Sequence, residues 1–168
     1  IFDEPSAVHA LANNVQEEKT NETVKKTQME IDAEYVKKKY SFKIPLKGTI
    51  TSRYGAREPT DIVSANHQGI DIGADKGTAI YAAAAGTVTV SQYGYGGGYG
   101  NYIIISHGNG VQTLYGHCSE LCVSQGQYVS QGQLIAKVGS TGISTGNHLH
   151  LEIRVNGIAQ DPQNYLYQ

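Results

Sequence analysis

The distribution of glycine is the strongest constraint on how this chain of 168 residues can fold. All 20 glycines lie in residues 41–168, and residues 1–40 contain none. Glycine inside a helix is about 1 kcal/mol less favourable than alanine, whereas tight turns between strands use its freedom to take positive φ. The glycine-rich part therefore predicts short strands joined by turns, and the first forty residues predict a different kind of structure.

Runs of β-branched and aromatic residues separate the glycine-rich turns, and each run predicts a strand. The predicted strands are 49–53, 79–81, 86–92, 101–106, 111–116, 133–138 and 148–155. Evenly spaced short strands are typical of an all-β domain built as a sandwich or a partly closed barrel. The pentapeptide VSQGQ occurs at 123–127 and again at 129–133, which predicts two tight bends because two copies are too few for a solenoid.

Residues 1–40 hold half of the charged side chains, with 6 Lys and 8 acidic residues out of 28. Pro5 lies in a DEPS stretch that suits the first turn of a helix, and the apolar spacing that follows indicates one or two exposed helices. We therefore predict a charged helical linker or stalk over 1–40 and a β domain over 41–168.

Charge and hydropathy narrow the classes of partner. The net charge of −2 gives no electrostatic reason to expect nucleic acid or an anionic membrane surface as a partner. No apolar run approaches the roughly 20 residues that span a bilayer. The chain begins with Ile and lacks the pattern of a signal peptide, so we expect a processed piece, with any export signal or membrane anchor upstream of it.

The segment HLHLEIRV at 148–155 alternates between polar and apolar residues. In a strand, this period places His148, His150 and Glu152 on one face and the apolar residues between them on the other. The apolar face is then expected in the core, and the histidine face is expected to line a surface or cleft.

Two more segments offer groups that bind metals or carry protons. His67 and Asp71 form an H-x3-D pattern, and Gly69 with the neighbouring isoleucines favours an extended backbone there. His117 ends an apolar predicted strand, where site residues are often displayed. Nitrogen and oxygen donors suit Zn²⁺, and three protein ligands with an open position are typical of a catalytic rather than a structural zinc site.

The other histidines and the two cysteines are assigned simpler roles. His9 is predicted to be a surface residue, and His107, in the HGNG turn, is predicted to be a turn or rim residue. Cys118 and Cys122 are interpreted as small, partly buried residues at apolar positions. A short-loop disulfide is the alternative if the domain is extracytoplasmic, and a ligand role for Cys118 is a minority alternative.

In these motifs the chain resembles a known family, the lysostaphin-type (LytM-like) zinc metallopeptidases. The matching stretches are GTITSRYGAR (48–57), NHQGIDIGADKGTAIYAAAAGTV (66–88), GYGNYIIISHGNGVQTLYGHCS (98–119) and VGSTGISTGNHLHLEIRVNG (138–157). The resemblance covers nearly all of 44–165, and the motifs occur in the order typical of the family. It implies a small antiparallel β barrel-sandwich, which agrees with the strands predicted independently.

The resemblance also implies roles for five residues. The family holds one zinc ion with the His and Asp of H-x3-D and the second His of H-x-H, which correspond here to His67, Asp71 and His150. Its catalytic pair is the His of the YGH element and the first His of H-x-H, here His117 and His148. Neither the motifs nor the spacing decides which of His117 and His148 acts as base and which stabilises the oxyanion.

Two features near these residues carry open alternatives. Glu152 either orients a histidine as an outer hydrogen-bond partner or pairs with Arg154 on the sheet face. The Gly- and Tyr-rich segment 91–102 either borders a substrate cleft, where glycine allows a peptide to approach closely, or is an ordinary hairpin connection.

By resemblance, the function is hydrolysis of peptide bonds in peptidoglycan stems or cross-bridges by a metal-activated water, in the extracytoplasmic cell envelope. The alternative is a weakly active or inactive zinc-bearing scaffold in an envelope or sporulation complex, with residues 1–40 contacting a partner protein. A third hypothesis, a lipoyl-type carrier, predicts a Lys displayed at a hairpin tip. Lys137 lies in a predicted strand instead, which argues against it.

Overall fold

The computed structural model describes residues 8, 9, 11, 12, 27–56 and 66–166, and strands dominate them. The strands are β1 Thr49–Ser52, β2 Gly55–Ala56, β3 Asn66–His67, β4 Ile70–Gly73, β5 Ala79–Tyr81, β6 Gly86–Gln92, β7 Asn101–Gly108, β8 Val111–Leu121, β9 Tyr128–Val129, β10 Leu134–Val138, β11 His148–Val155 and β12 Ile158–Gln160. The helices are α1 Gln28–Tyr40 and the short α2 Gln163–Leu166, and a 3-10 turn covers Gly96–Gly98.

One large antiparallel sheet forms the body of the domain. Its strand order is β1-β4-β11-β8-β7-β6-β9, with β10 pairing with β5 and β8, β12 pairing with β11, and β2 and β3 forming a separate pair. The path does not return from β9 to β1, so the sheet is open rather than closed into a barrel. The predicted mainly β, antiparallel fold class with an N-terminal helix is confirmed.

The strand bounds differ from the prediction mainly around the functional motifs. β5, β6 and β11 have the predicted bounds, whereas β8 continues beyond residue 116 to Leu121. The sequence places a strand end at Gly116, but this glycine lies inside β8, next to a β-bulge. β4 was predicted only as extended backbone, and it pairs with the long strand β11.

The two VSQGQ segments form the predicted tight bends. In each bend the glycine has a positive φ, of 91° and 80° respectively. The last Gln side chain accepts a hydrogen bond from the backbone N–H of the Ser three residues earlier, Gln127 from Ser124 and Gln133 from Ser130. Identical local sequences thus give identical turns, because the turn bonds lie within the five residues.

Helix α1 and the helical residues 8, 9, 11 and 12 are the described parts of the predicted N-terminal helical segment, and residues 1–7 and 10 lie outside the described part. Thr27 caps its first turn by accepting a hydrogen bond from the Glu30 N–H, and Ser41 ends it in a left-handed conformation. Val36 is buried and belongs to the same hydrophobic cluster as the core residues of the β domain. The described helices include none long and apolar enough to span a membrane. The proposed boundary at residue 41 stays a prediction, and residues 13–26 lie outside the described part.

His107 is not the turn or rim residue that the sequence predicts. Its Nδ1 lies 2.7 Å from the Ala85 carbonyl oxygen, and its Nε2 lies 2.8 Å from the Thr113 hydroxyl. The Thr113 hydroxyl in turn lies 2.8 Å from the Tyr115 hydroxyl, which accepts a hydrogen bond from the Ala83 N–H. His107 is therefore part of an internal hydrogen-bond chain, because β7 and β8 turn its side chain inward.

The cysteines are free thiols, so the disulfide alternative is wrong. Cys118 is buried in the core and Cys122 is exposed. Burial raises the pKa of the Cys118 thiol to about 12, so it is protonated at neutral pH, and its Sγ donates to the Tyr115 carbonyl oxygen at 3.6 Å. His9 is partly exposed, as predicted for a surface residue, and it contacts Asp32 of α1.

The alternation of β11 matches the core as predicted. Leu149, Leu151 and Ile153 are inaccessible to solvent. His150 and Glu152, on the other face, are also buried, with 6% and 1% of their surface exposed. The histidine face of β11 is therefore the floor of a cleft rather than an open surface.

Candidate active site

A cleft of about 700 Å³ opens over the polar face of the sheet. Its floor is made by side chains of β4, β8 and β11, which lie side by side. The cleft is also lined by the 3-10 turn with Tyr99 and by residues 143–147, and the two segments are joined by a hydrogen bond from the Ile143 N–H to the Gly98 carbonyl. The segment 91–102, predicted to border a cleft, does so through Gly97, Gly98 and Tyr99.

Three side chains converge on the floor of this cleft. β11 pairs with β4 so that His150 lies opposite Asp71, and β3 brings His67 beside them. The His67 Nε2 and His150 Nδ1 atoms lie 3.2 and 3.1 Å from Asp71 Oδ1, and 3.1 Å from each other. One donor atom from each side chain lies within 4.8 Å of the other two. Two nitrogens and one carboxylate oxygen fit a zinc ion with an open position for water or substrate.

Outer hydrogen bonds determine which ring nitrogen each histidine presents. The His67 Nδ1 lies 2.9 Å from the Arg53 carbonyl oxygen, which can only accept a hydrogen bond. The His150 Nε2 lies 2.8 Å from Glu152 Oε2, also an acceptor when ionised. The hydrogens therefore occupy these outer nitrogens, and the lone pairs of the opposite nitrogens point to the shared centre.

Glu152 is the hub of a buried polar group behind His150. Besides His150, its carboxylate accepts hydrogen bonds from the Tyr99 hydroxyl, at 2.7 Å, and from the Arg154 guanidinium, at 2.8 Å. The two alternatives for Glu152 are thus both realised: it orients a histidine and pairs with Arg154. Tyr99 was not singled out in the sequence, and its ring also stacks on His150 at 5.6 Å between centroids.

The charges of this group suit metal binding. Burial alone would raise the pKa of Asp71, but its contacts with His150 and His67 hold that pKa well below its ordinary value. Burial alone would also raise the pKa of Glu152, and the contact with His150 outweighs it and lowers the pKa. For His150, burial lowers the pKa, but Asp71 and Glu152 on either side raise it. Ionised carboxylates thus lie on both sides of the His150 ring. At its Nδ1, beside Asp71, a cation and a proton would compete.

His117 and His148 lie together beside the converging ligands. Their ring centroids are 4.9 Å apart, and the His117 ring is 5.9 Å from that of His150. The Nδ1 atoms lie 2.7 Å from the Thr141 carbonyl oxygen and 2.9 Å from the Gly146 carbonyl oxygen, respectively. Each Nδ1 therefore carries the hydrogen and leaves a lone pair on Nε2, and the His148 Nε2 lies 3.5 Å from Asp71 Oδ1.

Burial keeps His117 neutral. It lowers the pKa of His117 to about 4, and the contact with the Thr141 carbonyl only partly opposes this. At neutral pH the ring is therefore an acceptor for one proton. The structure thus brings together all five site residues predicted from the sequence; their roles as ligands and catalysts remain proposals.

Two curated relatives are similar to most of this chain. The DD-carboxypeptidase/endopeptidase Mpg of Neisseria meningitidis serogroup B is 44% identical over 134 residues, which is 78% of this chain and 30% of Mpg. The murein hydrolase activator NlpD of Escherichia coli is 40% identical over 128 residues, 74% of this chain and 31% of NlpD. The chain thus spans less than a third of the length of these relatives.

Solved structures share the fold. A zinc-containing peptidase from Vibrio cholerae superposes with a TM-score of 0.65 at 32% identity, covering 71% of this chain and 38% of that one. The catalytic domain of the antimicrobial peptidase lysostaphin from Staphylococcus simulans superposes with a TM-score of 0.64 at 29% identity, covering 80% of this chain and 97% of that one.

A model of a protein family also matches this chain. The model described as Peptidase family M23 matches residues 65–162, which include the H-x3-D, YGH and H-x-H motifs. The match covers more than half of the chain and the whole floor of the cleft. The resemblance to lysostaphin-type peptidases inferred from the motifs is confirmed, and the chain belongs to peptidase family M23.

Proposed function

We propose that this chain is a zinc-dependent endopeptidase that hydrolyses peptide bonds in the stems or cross-bridges of bacterial peptidoglycan. The observation that carries the proposal is the convergence of His67, Asp71 and His150, with one donor atom each within 4.8 Å of the others, beside His117 and His148. Ligands with their outer nitrogens already hydrogen-bonded are oriented before a metal arrives, which is typical of catalytic metal sites.

The relatives support the substrate class. Mpg is named as a DD-carboxypeptidase/endopeptidase and lysostaphin as an antimicrobial peptidase. The cleft itself suits an extended peptide, because Gly97 and Gly98 leave its wall without side chains while Tyr99 gives it a flat ring. A cell-wall substrate also implies an extracytoplasmic site of action, which we include in the proposal.

The chemistry is divided between two sets of side chains. A zinc ion held by His67, Asp71 and His150 would supply a Lewis acid for the peptide carbonyl and lower the pKa of water toward about 7. His117 and His148 present Nε2 lone pairs to the cleft. Either ring can take a proton there, and once protonated it donates a hydrogen bond to a developing oxyanion or returns the proton to the leaving amine.

Metal analysis combined with digestion of muropeptides tests this proposal. We expect one zinc per wild-type chain and cleavage of peptide bonds. His67→Ala should lose both zinc and cleavage, whereas His117→Ala should keep zinc and lose cleavage. Stoichiometric zinc without cleavage of any wall peptide by the wild type would contradict the enzymatic function.

One comparison favours a second candidate, a zinc-bearing domain that acts on a partner hydrolase rather than on the wall. NlpD, which is 40% identical to this chain, is named as a murein hydrolase activator. Residues 1–40 are then the proposed contact with an envelope partner. Adding the chain to a purified murein hydrolase distinguishes the two: stimulation that survives His117→Ala supports the activator, and loss of all effect supports the enzyme.

A further inference from the structure

His117 has an unusual backbone conformation for a residue with a side chain. Its φ is 62°, in the left-handed region that glycine prefers. The residue lies in a β-bulge: β7 pairs Asn101 with Cys118 and Ile103 with Tyr115, so β8 has one extra residue. Bulges of this kind re-aim side chains next to active sites, but a strained conformation persists only when its neighbours hold it.

Two hydrogen bonds hold the peptide that follows Cys118, one residue beyond His117. The Cys118 carbonyl oxygen accepts one from the Thr141 hydroxyl, at 2.8 Å, and one from the Asn101 side-chain amide, at 3.0 Å. The Thr141 hydroxyl also accepts the backbone N–H of Asn101, at 3.1 Å. The His117 N–H is bound on the other side by the Tyr99 carbonyl, at 2.7 Å. The hydroxyl of Thr141 thus donates one hydrogen bond to the bulge and accepts one from it.

Thr141 also holds the ring of His117. Its carbonyl oxygen lies 2.7 Å from the His117 Nδ1, which requires a hydrogen on that nitrogen. The surroundings leave little room for Thr141 to move. A Cβ on Gly100 would come within 2.4 Å of the Thr141 carbonyl carbon, and a Cβ on Gly142 within 2.3 Å of the Gly100 nitrogen. Only glycines permit this contact between the two loops.

We propose that Thr141 is a positioning residue that holds His117 in its proton-accepting orientation. The hydroxyl anchors the segment 140–142 to the bulge, and the anchored carbonyl then fixes the His117 ring with hydrogen on Nδ1 and the lone pair on Nε2. The ligand residues contact neither group of Thr141 in this arrangement. This inference rests on the proposed peptidase function, and it assigns Thr141 to the proton-handling side of the site.

Three variants separate the hydroxyl from the rest of the side chain. Thr141→Val keeps the shape and removes the hydroxyl, Thr141→Ala removes it without adding a methyl beside the Asn101 N–H, and Thr141→Ser restores it. Thr89→Val is the matched control, because the exposed Thr89 hydroxyl donates to the Ile104 carbonyl oxygen, at 3.3 Å, and Thr89 does not line the cleft. Zinc content, kcat, KM and the ¹⁵N shifts of the His117 ring are measured for each zinc-loaded protein.

The expected result is a loss confined to kcat. Removing the hydroxyl should lower kcat about 10- to 100-fold, with KM changed less than about threefold and zinc content unchanged. The ¹⁵N shifts should report a mixture of His117 tautomers in Thr141→Val and Thr141→Ala. Thr141→Ser and Thr89→Val should match the wild type in both readouts.

The ring shifts keep the test independent of the proposed function. If the wild type cleaves nothing, the peptidase proposal fails, and the tautomer of His117 still tests the role of Thr141. Hydrogen remaining on the His117 Nδ1 in both hydroxyl-free variants would overturn the inference. A parallel loss of zinc and kcat would overturn it as well, because the residue would then act on the whole site.

Discussion

His117 and His107 are held alike but lie in different surroundings. Each ring places Nδ1 2.7 Å from a main-chain carbonyl oxygen, that of Thr141 and that of Ala85, respectively. Burial lowers the pKa of both. The difference is at Nε2, which meets the Thr113 hydroxyl in His107 and the cleft in His117. A lowered histidine pKa therefore indicates burial alone. A catalytic role is indicated when, in addition, the Nε2 atom faces a cleft beside other reactive side chains, as in His117.

The largest expected effect separates these two histidines by activity. His117→Gln should lower kcat by about 100-fold or more, because a positioned proton acceptor contributes on the order of 10²- to 10⁴-fold. His107→Gln should leave kcat within about threefold of the wild type, because the His107 ring is part of the internal hydrogen-bond chain and does not face the cleft. Both variants should keep one zinc. Equal losses of kcat in the two variants, measured by steady-state cleavage of a muropeptide, would contradict the different roles given to the two histidines.

A second expected effect concerns His150, which is held by a carboxylate instead of a carbonyl. Glu152→Gln keeps an acceptor for the His150 Nε2 but removes the charge, so zinc affinity should fall about 10- to 100-fold. Glu120→Gln is the matched control, because Glu120 pairs with Lys137 on the exposed surface. Competition with a zinc chelator measures both. Unchanged affinity in Glu152→Gln would show that hydrogen bonding alone orients the ligand.

A third, smaller effect is expected on stability. Thr113→Val removes the hydroxyl between His107 and Tyr115, which leaves a buried ring nitrogen and a buried phenol without that partner. The free energy of unfolding should fall by about 1–3 kcal/mol, measured by urea denaturation. Cleavage activity should persist, because the hydrogen bonds of the Thr113 hydroxyl lie outside the cleft. Loss of activity in the folded variant would mean that the two regions are coupled.

The smallest expected effect is the pH dependence due to His107. Its pKa is lowered from 6.5 by burial, so the folded chain binds this proton more weakly than the unfolded chain. The stability contributed by the neutral ring is present above about pH 6.5 and is lost as pH falls through the lower folded pKa. His107→Gln should lack this component, so the difference in unfolding free energy from wild type should shrink as the solution is acidified. A difference independent of pH would contradict the assignment.

Local sequence patterns predicted the candidate site residues better than the surrounding residues that hold them in place. His148 and His150 share a strand face because side chains alternate in any strand. His67 and Asp71 lie instead on separate strands, β3 and β4, so their approach depends on the bend between them. The continuation of β8 through Gly116 was missed, because the bulge that displays His117 arises from pairing with β7. Thr141 was missed for the same reason, since its contacts join residues distant in the chain.

Backbone preferences and periods within a few neighbouring residues are enough to predict the β class and the tight VSQGQ bends. The five proposed site residues were predicted from motifs shared with the family. The burial of Glu152, the inward side chain of His107 and the nitrogen that each histidine presents follow from tertiary packing. Those properties depend on partners far apart in the chain, because a ring nitrogen keeps or loses its hydrogen according to the acceptor that packing places beside it.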